Sequence, residues 1–235
     1  MINCTVDWEH PANSEEGAAY VILLQTLRNF LPRHIVNNKN EGYLITTALP
    51  AGEWALQHIN LYEAGLQLDF LNIMAYDFFG SWTSTTGHQA QLYHPQDAEP
   101  DNQISAARGI FYVTNAGVPR EKIILGIPTY GRAFVGADAV GQSFTEPGGH
   151  EGTYEFKDLP LPNTKEHVDE TLAAAWCSGN GQFVSYDNPA TVRLKANYVK
   201  QLGLGGIFFW TATGDGQRPR CLVELAYKIM HDIVH

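Results

Sequence analysis

The chain has 235 residues, 44% of them hydrophobic and 17% charged, with a formal net charge of −10, a size and balance that give one large globular domain, or one plus a small insert. With no run of Lys or Arg on so acidic a chain, nucleic acid and anionic membrane surfaces are disfavoured as partners and a neutral ligand fits better. No apolar stretch reaches membrane-spanning length and no basic segment followed by an apolar one opens the chain, so neither a transmembrane helix nor a signal peptide is expected here.

In chain order, Val6-Asp7-Trp8-Glu9 reads as an apolar strand end delivering two carboxylates. Alternation puts Asp7 and Glu9 on one side and turns Trp8 away. The pair is either a solvated acidic loop or a coupled dyad of the kind that raises one pKa for general-acid work. After Pro11 a helix opens at Ser14, with Glu15 and Glu16 in its first turn and Tyr20, Leu23, Leu24, Leu27 and Leu31 on one face, and Pro32 ends it. Tyr43 to Ala48 is a buried strand, Trp54 to Ala64 a helix, Phe70 to Ala75 a strand, and Gln103 to Ala116 a helix closed by Gly117. Lys122 to Pro128 is another strand. Thr191 to Gln201 is helical, Gly206 to Trp210 is an apolar strand, and Pro219 to Asp232 is an amphipathic helix.

Strands alternating with amphipathic helices imply a parallel sheet, either a barrel or an open doubly wound fold. Asp7 and Glu9, Tyr76 and Asp77, Tyr130 and Arg132, and Trp210 all fall at or just beyond the C-terminal ends of four different strands. A barrel gathers a site from strands around its mouth in that way, and no glycine-rich phosphate fingerprint follows any strand, so the barrel is favoured. The stretch from Gly136 to Gly181 breaks the repeat. Its Gly and Pro clusters, the aromatic segment Thr153-Tyr154-Glu155-Phe156 and a helix-like Glu166 to Trp176 predict a small α+β insert on the barrel rim. Cys4, Cys177 and Cys221 form neither a disulfide framework nor a metal-ligand spacing, and free thiols are expected although a Cys177 to Cys221 bridge is conceivable. Asn3-Cys4-Thr5 is a glycosylation-type sequon. The nine histidines are scattered without ligand spacing, so neither a metal site nor a cofactor is expected. Trp54 is assigned to core packing.

Five segments in order, Val6-Asp7-Trp8-Glu9-His10-Pro11, Asn72-Ile73-Met74-Ala75-Tyr76-Asp77, Leu125-Gly126-Ile127-Pro128-Thr129-Tyr130-Gly131-Arg132-Ala133-Phe134, Ser185-Tyr186-Asp187-Asn188-Pro189 and Gly205-Gly206-Ile207-Phe208-Phe209-Trp210, resemble the glycoside hydrolase family 18 chitinases, most of all the fungal members with an α+β insertion domain. The resemblance implies an α/β fold, part of a (β/α)8 TIM barrel holding strands four to eight, from residues 1–135 and 183–235, with the insertion domain at 136–182. Ala48-Leu49-Pro50-Ala51-Gly52 would end the fifth strand. It implies retaining hydrolysis of β-1,4 N-acetylglucosamine linkages in chitin or chito-oligosaccharides, with the substrate's own N-acetyl oxygen as nucleophile.

By the same resemblance Glu9 is the acid/base, Asp7 holds the acetamido N–H and Tyr76 donates to the acetamido oxygen. Trp210 is the floor under the distorted sugar, Met74 and Asp77 line the pocket, Tyr130 and Arg132 bind sugar, and Trp82 is a stacking platform on the leaving-group side. Structural alternatives stay open: barrel filling for Trp210, packing for Met74, a loop cap for Asp77 and a salt-bridge partner for Arg132. The family's D-x-x-D-x-D-x-E signature falls here on Ile2, Thr5, Asp7 and Glu9. Thr5 donates one hydrogen bond where the family's middle aspartate shares a proton, and His10 stands in place of the usual tyrosine. Three strands of the barrel and the start of a fourth have no counterpart, so the expectation is an N-terminally truncated chain whose parent is secreted or wall-associated. Two other readings are a catalytically inactive, chitin-binding fragment and an endo-acting N-acetylglucosaminidase on glycoproteins.

Overall fold

The structure, a computed structural model, describes residues 3–31, 42–99 and 103–233. Its elements are β1 (Asn3–Val6), α1 (Ser14–Phe30), β2 (Leu44–Pro50), α2 (Glu53–Leu56), α3 (Leu61–Gln67), β3 (Phe70–Met74), α4 (Ala106–Asn115) and β4 (Ile123–Pro128), then β5 (Tyr130–Val135), β6 (Glu146–Pro147), β7 (Thr153–Glu155), β8 (Lys165–Asp169), β9 (Ala174–Gly179), β10 (Gln182–Tyr186), α5 (Pro189–Leu202), β11 (Gly206–Trp210) and α6 (Leu222–Met230). Among the described residues β1-β2-β3-β4-β11 form a five-stranded parallel sheet, and β6-β5-β10-β9-β8, with β7 on β5, form an antiparallel one. The parallel sheet with its helices is a partial barrel. The second sheet takes in Tyr130–Val135 and Gln182–Tyr186 together with the strands inside 136–182.

Apolar residues in β2, β3 and β4 make the main core. Ile45, Leu49, Leu71, Ile73 and Leu125 are fully buried against Tyr20 and Leu24 of α1 and Ile110 and Val113 of α4. The cap of α1 is Asn13 rather than Ser14, its side chain accepting from Glu16 N at 2.9 Å. Leu23, expected on the inner face, points outward at 39% exposure, while Leu27 and Leu31 pack on the core. Pro32 and Ile2 lie outside the described residues. Gly17 is required where α1 meets the connection between α2 and α3, since a Cβ there would stand 1.7 Å from His58 O.

Two expectations are corrected. Trp54 is 58% exposed, set edge-on to the His10 ring at 4.8 Å; α2 and α3 are separate short helices, and α2 turns this side chain outward. Glu166 to Trp176 is no helix but the hairpin of β8 and β9. The cause is local turn chemistry. Asp169 Oδ1 accepts from Thr171 N at 2.8 Å, Thr171 Oγ1 at 2.6 Å and Leu172 N at 3.1 Å, and Ala173 takes φ +48°, so the chain reverses before a helical turn can propagate.

The segment Ser185-Tyr186-Asp187-Asn188-Pro189 is a buried joint. Asn188 caps α5 with Thr191 in a reciprocal capping box and Pro189 occupies its first turn. Asp187 accepts from Lys195 Nζ at 2.5 Å and from Thr191 Oγ1 at 2.7 Å, with both ion-pair partners 1% exposed. Gly203 ends the helix at φ +66°, the left-handed cap that glycine adopts without penalty.

Candidate functional site

Strand β1 ends at Val6 and the chain stays extended enough to keep its alternation. Val6 and Trp8 pack on the core, the Trp8 ring 6.1 Å from Tyr20. Thr5, Asp7 and Glu9 face the opposite side, into a cavity of about 280 Å³. The strand end is pinned from behind, where Thr47 Oγ1 donates to Val6 O at 2.8 Å and meets the Tyr20 hydroxyl. Burial pushes that hydroxyl up to about 12, so Tyr20 stays a neutral hydrogen-bonding post.

The cavity is walled by alternate residues of the parallel strands: Thr5, Asp7 and Glu9 from the β1 end, Ala48 from β2, Asn72, Met74 and Tyr76 from the β3 end, and Phe208 and Trp210 from β11. Asp77 and Tyr130 close it. Three carboxylates, two phenols and an exposed indole therefore share one small space. Trp210, on the edge strand of the partial barrel, is 56% exposed. Burial raises the Tyr76 phenol well above its ordinary range, and the nearby charges of Asp77, Glu9 and Asp7 push the same way. Tyr76 consequently remains a proton donor at any working pH.

Asp77 sits in the left-handed region at φ +61°, and its Oδ1 accepts from Tyr130 Oη at 2.8 Å and Arg132 Nε at 2.7 Å. The salt-bridge alternative for Arg132 is thus realised beside the cavity, with Asp77 as its partner. Burial, with Asp77 next, lifts the Tyr130 phenol far above its ordinary value. Arg132 links outward as well, its guanidinium carbon 4.8 Å from the Trp82 ring centre. Trp82 is 57% exposed and does not line the cavity itself.

Asn72, Ala48 and Phe208 line the cavity without having been singled out as site residues. Stepping back by four from Tyr76 and by two from Trp210 finds Asn72 and Phe208, since the strand period is two. Gln89 was also missed. It is fully buried, donates from Nε2 to Tyr130 O at 2.7 Å and from its backbone N to Ser185 Oγ at 3.0 Å, and so ties the cavity rim to the second sheet. A glutamine in a loop carries no sequence signal for that role. Thr5 Oγ1 is 2.9 Å from Thr46 Oγ1. Among the described residues no group of three or more His, Cys, Asp or Glu is placed to hold a metal ion, and Cys4, Cys177 and Cys221 are free thiols.

The family description "Glycosyl hydrolases family 18" matches residues 5–215. The chain is 33% identical over 232 residues to Chitinase 1 of Aphanocladium album, across 95% of this chain and 54% of that protein. It is 35% identical over 228 residues to Endochitinase 1 of Metarhizium robertsii, across 93% of this chain and 53% of that protein. The chain thus spans about half the length of these curated relatives. Its fold is similar to that of a class V chitinase mutant from Nicotiana tobaccum solved in complex with NAG4, with a TM-score of 0.86 and 27% identity over 96% of this chain and 67% of that one. With the family match running through the cavity-lining strands from Thr5 to beyond Trp210, the chain belongs to glycosyl hydrolase family 18.

Proposed function

We propose that the cavity at the ends of β1, β2, β3 and β11 hydrolyses β-1,4 N-acetylglucosamine linkages of chitin or chito-oligosaccharides with retention at the anomeric carbon. The observation that carries the reading is the convergence of Glu9, Asp7, Tyr76 and Trp210 on one cavity. Glu9 protonates the glycosidic oxygen as the substrate's acetamido oxygen attacks the anomeric carbon and the glycosidic C–O bond breaks. Asp7 accepts the acetamido N–H and offsets the positive charge of the oxazolinium ion. Tyr76, held protonated, donates to the acetamido oxygen. Glu9 then takes a proton from water as the water oxygen bonds to the anomeric carbon, from the face the leaving group left, and the bond from that carbon to the acetamido oxygen breaks. Trp210 and Met74 support the sugar ring, Asp77 with Tyr130 and Arg132 fixes the rim, and Trp82 stacks the next sugar on the leaving-group side. Residues 136–182 form the insertion domain, and the parent protein works outside the cell or in the cell wall.

One observation favours a second reading. Thr5 stands where the family has a proton-sharing aspartate, and its hydroxyl is engaged with Thr46, so chitin binding without turnover is the rival. Release of a fluorescent leaving group from a chitotriose glycoside, measured beside Glu9→Gln with ¹H NMR detection of the first anomer formed, separates them. Turnover with the β-anomer first, abolished in Glu9→Gln, supports hydrolysis; retention on chitin with no turnover supports the binding reading.

A further inference from the structure

A second cavity, of about 700 Å³, opens between the antiparallel sheet and the loop that follows β3. The strand register explains its placement. Arg132 lies opposite Ser185, Ser185 opposite Trp176, and Trp176 opposite His167, so these four side chains share one face of the sheet. At one end of the row Arg132 reaches Asp77. In the middle Ser185 is closed off by Gln89. At the other end Trp176 and His167 line the second cavity, two and three strands from the Arg132 strand, about 10 and 14 Å at ordinary strand spacing.

Its walls are latched in place. Thr86 Oγ1 donates to Ala139 O at 2.6 Å, Thr86 N to Gln142 O at 2.9 Å, and Gly141 N to Thr86 O at 3.0 Å. On the opposite side Leu92 N and Tyr93 N both donate to Leu172 O, at 2.9 and 3.1 Å. Rings form the floor, with His167 stacked on Trp176 at 5.0 Å and 10° and His88 5.1 Å from the same indole. His88 is only 5% exposed, and its Nδ1 has no hydrogen-bond partner among the described residues. Burial pushes this imidazole down to about 4, so it is neutral at ordinary pH. Asp138, Asp169 and Ser178 supply polar groups, and among the described residues neither Lys nor Arg lines the cavity.

We propose that this preformed cavity is a second carbohydrate site, taking one N-acetylglucosamine unit of a chitin fragment independently of the Glu9 cavity. The identity of the sugar rests on the chitin reading above. A pyranose lays an apolar C–H face on aromatic rings and offers hydroxyls to carboxylates, which matches a floor of His167 and Trp176 beneath Asp138 and Asp169. An anionic ligand would meet two carboxylates and, among the described residues, no cation. A buried ring nitrogen left without a partner is a group that a ligand hydroxyl, or the water it carries, would satisfy.

The test is a titration of the full chain carrying Glu9→Gln with chitobiose, following the His88 ring nitrogens and the Trp210 indole N–H by ¹⁵N NMR. The expected result is a saturable shift at both, with different midpoints. Val140→Trp, at a 46% exposed rim position, should weaken the His88 response about tenfold or more and leave the Trp210 midpoint unchanged. A shift at Trp210 with none at His88 overturns the second site. A His88 shift that ignores Val140→Trp, or that disappears with Trp210→Ala, overturns its independence. Response at His88 alone sustains the second site and overturns the chitin reading of the first; silence at both overturns sugar binding altogether.

Discussion

Val6-Asp7-Trp8-Glu9 and Ser185-Tyr186-Asp187-Asn188-Pro189 are both strand ends dense in polar groups, yet the fold treats them in opposite ways. In the first, Asp7 and Glu9 are exposed in a cavity. In the second, Ser185, Asp187 and Asn188 are 2%, 1% and 3% exposed and each is satisfied by Gln89, Lys195 or the first turn of α5. A polar motif at a strand end is scaffolding when burial is met by partners, and a candidate for chemistry when it is left open beside other titratable groups. Substitutions in the two motifs should therefore fail differently, one in rate and the other in stability.

The largest effect is expected in the open motif. Glu9→Gln should lower turnover of a chitotriose glycoside by about 10²- to 10⁴-fold, the usual contribution of a general acid/base. Its melting temperature should stay within about a degree or two of the parent, since Glu9 carries no buried partner. A large drop in melting temperature instead would move Glu9 to the scaffolding side of the comparison. In the buried motif the pattern inverts. Lys195→Met strands Asp187 as an unpaired buried carboxylate and should cost about 3–5 kcal/mol in denaturant unfolding. Adding Asp187→Leu should recover most of that, and a double variant no better than the single would break the pairing argument.

The third effect concerns pH. The His88 imidazole is lowered from 6.5 to about 4 by burial, so between those values the unfolded chain binds a proton that the folded chain does not. Stability from this group is complete above about pH 6.5 and is lost as pH falls toward 4, by up to about 3 kcal/mol. His88→Phe should flatten that part of the stability-against-pH curve; an unchanged slope would show that other groups set it. Smaller again is Tyr76→Phe, which removes one donor to the proposed acetamido oxygen. It should reduce kcat about ten- to a hundredfold with little change in the unfolding midpoint, and an effect on KM alone would assign Tyr76 to binding.

Much of this was legible because strands have a period of two and helices a period near 3.6. The parallel strands β2, β3, β4 and β11 and the spacing of Asp7 from Glu9 follow from runs and alternation that burial imposes. What escaped has particular causes. The β8–β9 hairpin was read as a helix because Glu166 to Trp176 is rich in helix-tolerant residues, and the deciding event, the Asp169 side chain capping Thr171 and Leu172, is a three-residue effect. Trp54 was placed in the core because a tryptophan usually is, whereas the two-helix break around it turns the ring outward. Gln89 escaped because its partners Tyr130 and Ser185 are 41 and 96 positions away, and only the assembled sheets bring them together.

The smallest expected effect probes the two helices that flank β11. Val192 on α5 is fully buried, while Val223 on α6 is 43% exposed and its backbone N–H donates to Asp215 Oδ2 at 3.1 Å. Replacing the Val223 side chain leaves that bond intact. Val223→Lys should therefore change unfolding free energy by less than about 0.5 kcal/mol, the ordinary range for a surface substitution. Tyr227, one turn further on, is 56% exposed, so the two form an apolar strip on the outer side of α6. If Val223→Lys cost more than about 1 kcal/mol, or shifted the elution volume of the chain, the strip would be covered in solution and the exposed side of the comparison would end at α6; an unchanged midpoint and elution volume would place α6 with the open region.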